Sequence, residues 1–208
     1  MKNKTTILSD LGNVLLNFDH GIAFKKIAEY LNPLTALYIW AKKDSFMKEM
    51  RSEFDLLETG RMNLEQMFSR LKGKVGGDMP FPAFEEAWCN IFSECPETIT
   101  LIKNLSEKYQ VFVLSNTNAP HYEFIQGKFP QLNFVKDWIT SHSIGVLKPD
   151  PEFYRMAISK LNVQAEECVF IDDNQSNVEA AINFGIDSIH HKNAEETAQE
   201  LKKYGITL

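Results

Sequence analysis

Four polar clusters in this 208-residue sequence stand at the ends of short apolar runs or in a loop beside one. They are Asp10 after Thr6-Ile7-Leu8, Ser115 after Val111-Phe112-Val113-Leu114, Lys148 in the loop 145–151, and Asp172-Asp173 after Val169-Phe170-Ile171. Each has an ordinary explanation. Asp10 could cap the Gly12-Asn13 turn, Ser115 could serve a turn or an N-cap, and Lys148 could be a solvated loop lysine. Asp172-Asp173 could cap the following helix and complement its dipole. Jointly they call for chemistry. Three carboxylates within about 4–6 Å repel one another by several kcal/mol at an effective dielectric near 20, and stay ionised together only around a cation. Hard oxygen ligands without nearby histidine favour Mg²⁺. With the metal and Lys148 cancelling the carboxylates, the cluster could accept a phosphate dianion. Ser115 would offer its hydroxyl and the amides after it to a phosphate oxygen. Asp10 would be free to attack phosphorus, giving an aspartyl-phosphate that water hydrolyses.

The elements that must position these groups read as two textures. The apolar runs before Asp10, Ser115 and Asp172 fit strands buried on both faces of a parallel sheet, with ligands beyond their carboxyl ends. Helices are expected over 97–109, around 121–129, over 152–161, 176–184 (ending on a Gly185 C-cap) and 194–204. Short strands are expected at 138–140 and 186–189. This alternation implies βαβ crossovers and an α/β fold, a Rossmann-like parallel sheet core. Between the first strand and the rest lies a segment with helical stripes: Ile22, Phe24, Ile27, Ala28 and Leu31; Phe46, Met50, Phe54 and Leu57; Leu64, Met67, Phe68 and Leu71; Ala83, Phe84, Ala87, Trp88, Ile91 and Phe92. Breaks are expected at Asn32-Pro33, Thr59-Gly60 and from Gly76 to Pro82, with a capping box from Asn63 to Gln66. The predicted organisation is a core of residues 1–16 and 94–208 carrying an inserted helical-bundle cap, 17–93.

Composition narrows the function classes. A formal net charge of −6 argues against a nucleic-acid backbone as partner. The three cysteines, Cys89, Cys95 and Cys168, match no metal-ligand spacing and read as small buried hydrophobes of a reducing compartment. No stretch approaches a signal peptide or a membrane span, so a cytoplasmic protein without a membrane partner, monomeric or dimeric, is expected.

In chain order, Asp10 in ILSDLGNVL, Ser115 in VFVLSNTN, Lys148 in GVLKPDPEFY and Asp172-Asp173 in VFIDDNQSNVEAA resemble the four motifs of the haloacid dehalogenase superfamily. The helical insertion is similar to the cap of its first subclass, with FDLLETGR (54–61) and WCNIF (88–92) resembling cap segments. The DLGNV and LSNTN strings look most like the sugar-phosphate phosphatase group that includes α-D-glucose-1-phosphate phosphatase. The resemblance implies Asp10 as nucleophile and Ser115 and Lys148 as phosphate ligands. It also implies Mg²⁺ held by Asp10, the carbonyl of Gly12, Asp172 and Asp173, and a small phosphorylated metabolite as substrate. The family's usual general acid, two residues after the nucleophile, is here Gly12; losing a placed acid costs about 10²–10⁴-fold. Asp19 is the candidate substitute, its other reading being the N-cap of the helix before Ile22. Asn116 is either a source of substrate-facing amides or a turn residue, and Asn177 is expected to brace the fourth motif. His121, His142, His190 and His191 read as surface or packing residues; Glu58, Arg61 and Trp88 could face the substrate from the cap, with core or solvent positions as the leading reading. Three other readings compete: a metal-free 2-haloacid dehalogenase, a non-catalytic phosphometabolite-binding module, and a response-regulator receiver. The last has its acidic pair first in the chain and lacks the insertion.

Overall fold

The computed structural model describes residues 3–207. Five strands, β1 (Thr6–Ser9), β4 (Gln110–Ser115), β5 (Asp137–Thr140), β6 (Cys168–Asp172) and β7 (Asp187–His190), form one parallel sheet in the order β5-β4-β1-β6-β7. Side chains alternate across it. Ile7, Val111, Val113, Val169 and Ile171 enter one core layer, while Leu8, Phe112, Leu114 and Phe170 enter the other. The helices α7 (Pro96–Leu105) and α12 (Ala194–Lys203) supply the first layer with Ile102, Leu105 and Leu201. The second receives Phe153, Tyr154 and Ala157 from α10 (Pro151–Leu161) and Ala181 from α11 (Gln175–Phe184). Burial on both faces explains why these strands read as continuous apolar runs. The remaining core helices are α8 (Ala119–Lys128) and the short α9 (Ser141–Ile144). Gly185 ends α11 at φ 103, as expected of a C-cap glycine.

Two short strands, β2 (Leu16–Phe18) and β3 (Phe92–Glu94), pair antiparallel beside the sheet, and the boundaries expected at 16/17 and 93/94 fall within them. Between them run six helices: α1 (His20–Ala28), α2 (Pro33–Ala41), α3 (Lys43–Glu49), α4 (Arg51–Glu58), α5 (Leu64–Val75) and α6 (Phe81–Cys89). Four stripes had suggested four helices. The second stripe splits at Met50, where φ −83 and ψ 0 leave the helical register. Helix α2 matches no stripe because it is apolar around much of its circumference, with Leu34, Leu37, Tyr38 and Trp40 exposed and Ile39 buried. The Asn32-Pro33 break is its start: Asn32 caps the Leu34 amide at 2.9 Å and Pro33 takes the first turn, where no N–H is needed. Both arms of the Asn63–Gln66 capping box form, at 2.8 and 3.1 Å. The bundle has its own core around Leu57, Met67, Phe84 and Trp88. No helix among the described residues is long and apolar enough to cross a membrane.

Helix α4 is tied to the sheet layer at its C-terminus. The Ser141 hydroxyl donates to the Glu58 carbonyl at 2.6 Å, and the Arg61 guanidinium donates to the Gly145 carbonyl at 3.3 Å. Gly60 turns the chain at φ +68, and a Cβ there would stand 2.7 Å from the His142 carbonyl oxygen. Gly60→Ala is therefore expected to cost at least the ~1–2 kcal/mol of a left-handed residue. That corresponds to a Tm lower by about 2–8 °C in a thermal melt.

Candidate active site

The strand order brings the candidates together. β1 lies between β4 and β6, so Asp10, just past the end of β1, is flanked by Ser115 closing β4 and Asp172 closing β6. Lys148 reaches the cluster from the loop between α9 and α10. Its ammonium donates to Asp10 Oδ1 at 2.9 Å, Asp172 Oδ2 at 2.7 Å and the Leu114 carbonyl at 2.8 Å, a full set of three. The loop is fixed by Asn116, whose amide group donates to the Lys148 carbonyl at 2.9 Å and accepts from its N–H at 2.8 Å. The Asn116 side chain thus clamps the distant Lys148 loop, a role that neither expectation for it named.

Asp172 is wholly buried and held on several sides. Besides Lys148 it accepts from the Asn174 amide at 2.8 Å, and Asn177 Nδ2 lies 3.0 Å from each of its oxygens. Asn177 is itself held by the buried Tyr154, whose hydroxyl donates to its carbonyl at 2.9 Å, so it braces the fourth motif as expected. Asp173 is half-buried and accepts from Asn13 Nδ2 at 2.9 Å. The sequence shows Asn13 only as part of the turn after Asp10; its left-handed φ of 52 is common for Asn in a turn, and its side chain reaches across to Asp173.

Burial and charge crowding act together on these groups. Burial pushes the Asp10 carboxyl up to about 7; Lys148 pulls it down, and Asp172 adds to the rise. Burial also works against the Lys148 ammonium, but Asp10 and Asp172 outweigh it and hold its pKa above the ordinary lysine value. One ammonium group thus leaves three carboxylates undercompensated. Asp10, Asp172 and Asp173 each offer an oxygen within 4.8 Å of the others, an all-oxygen donor set that fits Mg²⁺.

Over this edge lies a cavity of about 220 Å³, lined from the sheet side by Gly12, Ser115 and Asn116 and from the helical insertion by Arg51, Asp55 and Glu58. Gly12 can bear no side chain as things stand: a Cβ would lie 2.9 Å from the Phe18 ring. Asp19 is exposed, is absent from the cavity lining, and accepts from the Gly21 amide at 2.7 Å as the N-cap of α1, so the capping reading describes it. Glu58 and Trp88 both line the cavity, the substrate-facing one of the two readings, while Trp88 also packs in the bundle core and Arg61 is exposed. His121 lines it too but is packed: Nδ1 faces the Asn118 amide at 3.1 Å and Nε2 the Trp88 carbonyl at 3.0 Å, and burial lowers its pKa to about 4. His142 and His190 engage the Thr117 and Asp173 carbonyls, and His191 the Thr197 hydroxyl. Cys89 and Cys168 are buried as expected, whereas Cys95 is half-buried. A helical stripe reports which residues pack within the bundle; it does not say which rim residues look onto the sheet edge.

The chain is similar to several known proteins. A D-ribitol-5-phosphate phosphatase of Bacteroides thetaiotaomicron is 27% identical over 155 residues, covering 71% of this chain and 75% of its own. The crystal structure of a HAD family enzyme from the same organism superposes with a TM-score of 0.82 at 24% identity, covering 96% of this chain and 99% of that one. A wild-type complex of a HAD family enzyme from that organism with magnesium and inorganic phosphate gives 0.75 at 22%, covering 95% and 99%. A family model for haloacid dehalogenase-like hydrolases matches residues 4–185, and the chain belongs to that family.

Proposed function

We propose that the protein is a Mg²⁺-dependent phosphatase of a small phosphorylated metabolite, working through an aspartyl-phosphate on Asp10. The observation that carries this reading is the single ammonium group of Lys148 bound to both Asp10 and Asp172, with Asp173 and Ser115 on the same sheet edge. The ribitol-phosphate phosphatase and the magnesium–phosphate complex among its relatives support a phosphate ester as substrate. Asp10, the Gly12 carbonyl, Asp172 and Asp173 would hold the ion, which when bound supplies the positive charge that keeps the carboxylates ionised and favours a phosphate dianion.

The chain's own groups do the rest. The Leu11 amide at 2.6 Å and Lys148 at 2.9 Å hold Asp10 Oδ1, while Oδ2 accepts no hydrogen bond among the described residues. The orientation of the nucleophile is therefore set before substrate arrives. An Asp10 oxygen bonds to phosphorus as the ester P–O bond breaks, and water then cleaves the acyl phosphate. The Ser115 hydroxyl, which also makes no protein hydrogen bond among the described residues, donates to a phosphate oxygen. A dehalogenase would gain nothing from Asp173 beside its nucleophile, since a carboxylate repels an anionic haloacid.

Purified protein is expected to hydrolyse p-nitrophenyl phosphate and polyol phosphates, to stop in EDTA and to recover with added Mg²⁺, with Asp10→Asn inactive. Metal-independent turnover, or activity in Asp10→Asn, would refute the reading. Lys148→Met should lower kcat by at least ~10²-fold. In the absence of metal it should also destabilise the fold by about 3–5 kcal/mol, because two buried carboxylates lose their counter-charge. Denaturant melts with and without Mg²⁺ check this, the ion restoring more stability to the variant than to the parent.

A further inference from the structure

An alcohol leaves phosphorus as a poor alkoxide unless a proton reaches it, and the phosphate-binding cluster has none to give. Lys148 is committed to three acceptors, Asp172 accepts from all its neighbours, and position 12 is a glycine whose side-chain space is filled by Phe18. Across the cavity stands Glu58, the last residue of α4. Its backbone is fixed by the Ser141 hydroxyl at 2.6 Å and by the close turn of Gly60 on the His142 carbonyl, and Leu57 beside it is buried. Its carboxyl group makes no hydrogen bond or ion pair among the described residues, although it lines the same cavity as Gly12, Ser115 and Asn116. An acid held by its backbone, unpaired at its head and lining the same cavity as Ser115 is placed to trade a proton.

We infer that Glu58 is the general acid that protonates the departing ester oxygen as Asp10 takes the phosphoryl group. The inference rests on the phosphatase reading above. As the Asp10–phosphorus bond forms and the ester P–O bond breaks, the electron pair left on oxygen takes the Glu58 proton, giving a neutral alcohol and a Glu58 carboxylate. In the second step that carboxylate accepts a proton from the attacking water, which restores the acid.

The surroundings keep the proton on. Burial pushes the Glu58 carboxyl up to about 7, with Asp55 adding to the rise and Arg51 opposing it. Those two pair with each other at 3.1 Å on the same helix. From α1 and α8, His20 and His121 line the cavity, the latter held neutral near pH 7. From α9, His142 turns Nδ1 to the Thr117 carbonyl. On the neighbouring α3 and α5, Lys48, Glu49, Glu65, Arg70, Lys72 and Lys74 are all exposed.

The test compares leaving groups. p-Nitrophenolate departs without a proton, whereas a polyol alkoxide does not. Glu58→Gln should lower kcat/KM on the polyol phosphate that the parent protein turns over fastest by about 10²–10⁴-fold, while leaving p-nitrophenyl phosphate within about threefold. The parent's fall in polyol-phosphate kcat/KM as pH rises through about 7 should vanish in the variant, because kcat/KM ends at phosphoryl transfer, the step that needs the protonated carboxyl. Equal losses on both substrates, no loss on either, or a selective loss that follows His20→Asn instead would overturn the assignment. So would a parent protein that hydrolyses only the aryl ester. A parent inactive on both esters would instead refute the phosphatase reading itself.

Discussion

The whole arrangement turns on one buried ammonium group. Lys148 has almost no solvent, and neither does Asp172, so their attraction is unscreened while their desolvation is costly. The cost is met by geometry: Lys148 spends every donor on an oxygen 2.7–2.9 Å away, and Asp172 fills its remaining acceptor positions with Asn174 and Asn177. Removing any partner would leave a charge stranded in a medium unable to solvate it. That explains why so much of the nearby chain, from the Asn116 clamp on the loop to Tyr154 beneath Asn177, is hydrogen-bonded inward rather than outward.

How far this was legible depends on the range over which each feature is decided. Strands β1, β4 and β6 were readable because burial on both faces demands an apolar run, and a polar residue ending such a run marks the carboxyl edge. The capping box at Asn63 and the C-cap at Gly185 are local and formed as expected. The role of Asn116 was not readable from its neighbours, because its partner lies 32 residues away across a loop. Asp19 could be read two ways because the same side chain suits a cap or an acid; the Gly21 amide shows which interaction it makes. The insertion was hardest. Its stripes located a bundle core, yet α2, apolar on nearly every side, has no stripe, and Glu58 betrays nothing in sequence of the direction it faces.

Gly12 and Phe18 are best considered as one feature. A side chain at position 12 and the Phe18 ring compete for the same space, and the ring comes from β2, the strand that leads into the helical insertion. Where the chain leaves the sheet therefore decides what can stand beside the nucleophile. Filling that space with an aromatic ring removes one possible proton source and at the same time makes the cavity wall less polar. Phe54, Trp88 and Phe92 continue that wall.

Burial beside such a wall favours the uncharged form of a carboxyl group. The desolvation that lifts Asp10 to about 7 in a cluster with too few cations also lifts Glu58 to about 7 against the opposing pull of Arg51. The two rises have one cause but opposite remedies. At Asp10 a divalent ion would reverse the rise and leave a carboxylate, which is the form a nucleophile needs. At Glu58 the proton is retained, which is the form a donor needs. An insertion that closes a dry space over a charged sheet edge can thus divide two similar carboxyl groups into acid and base through environment alone.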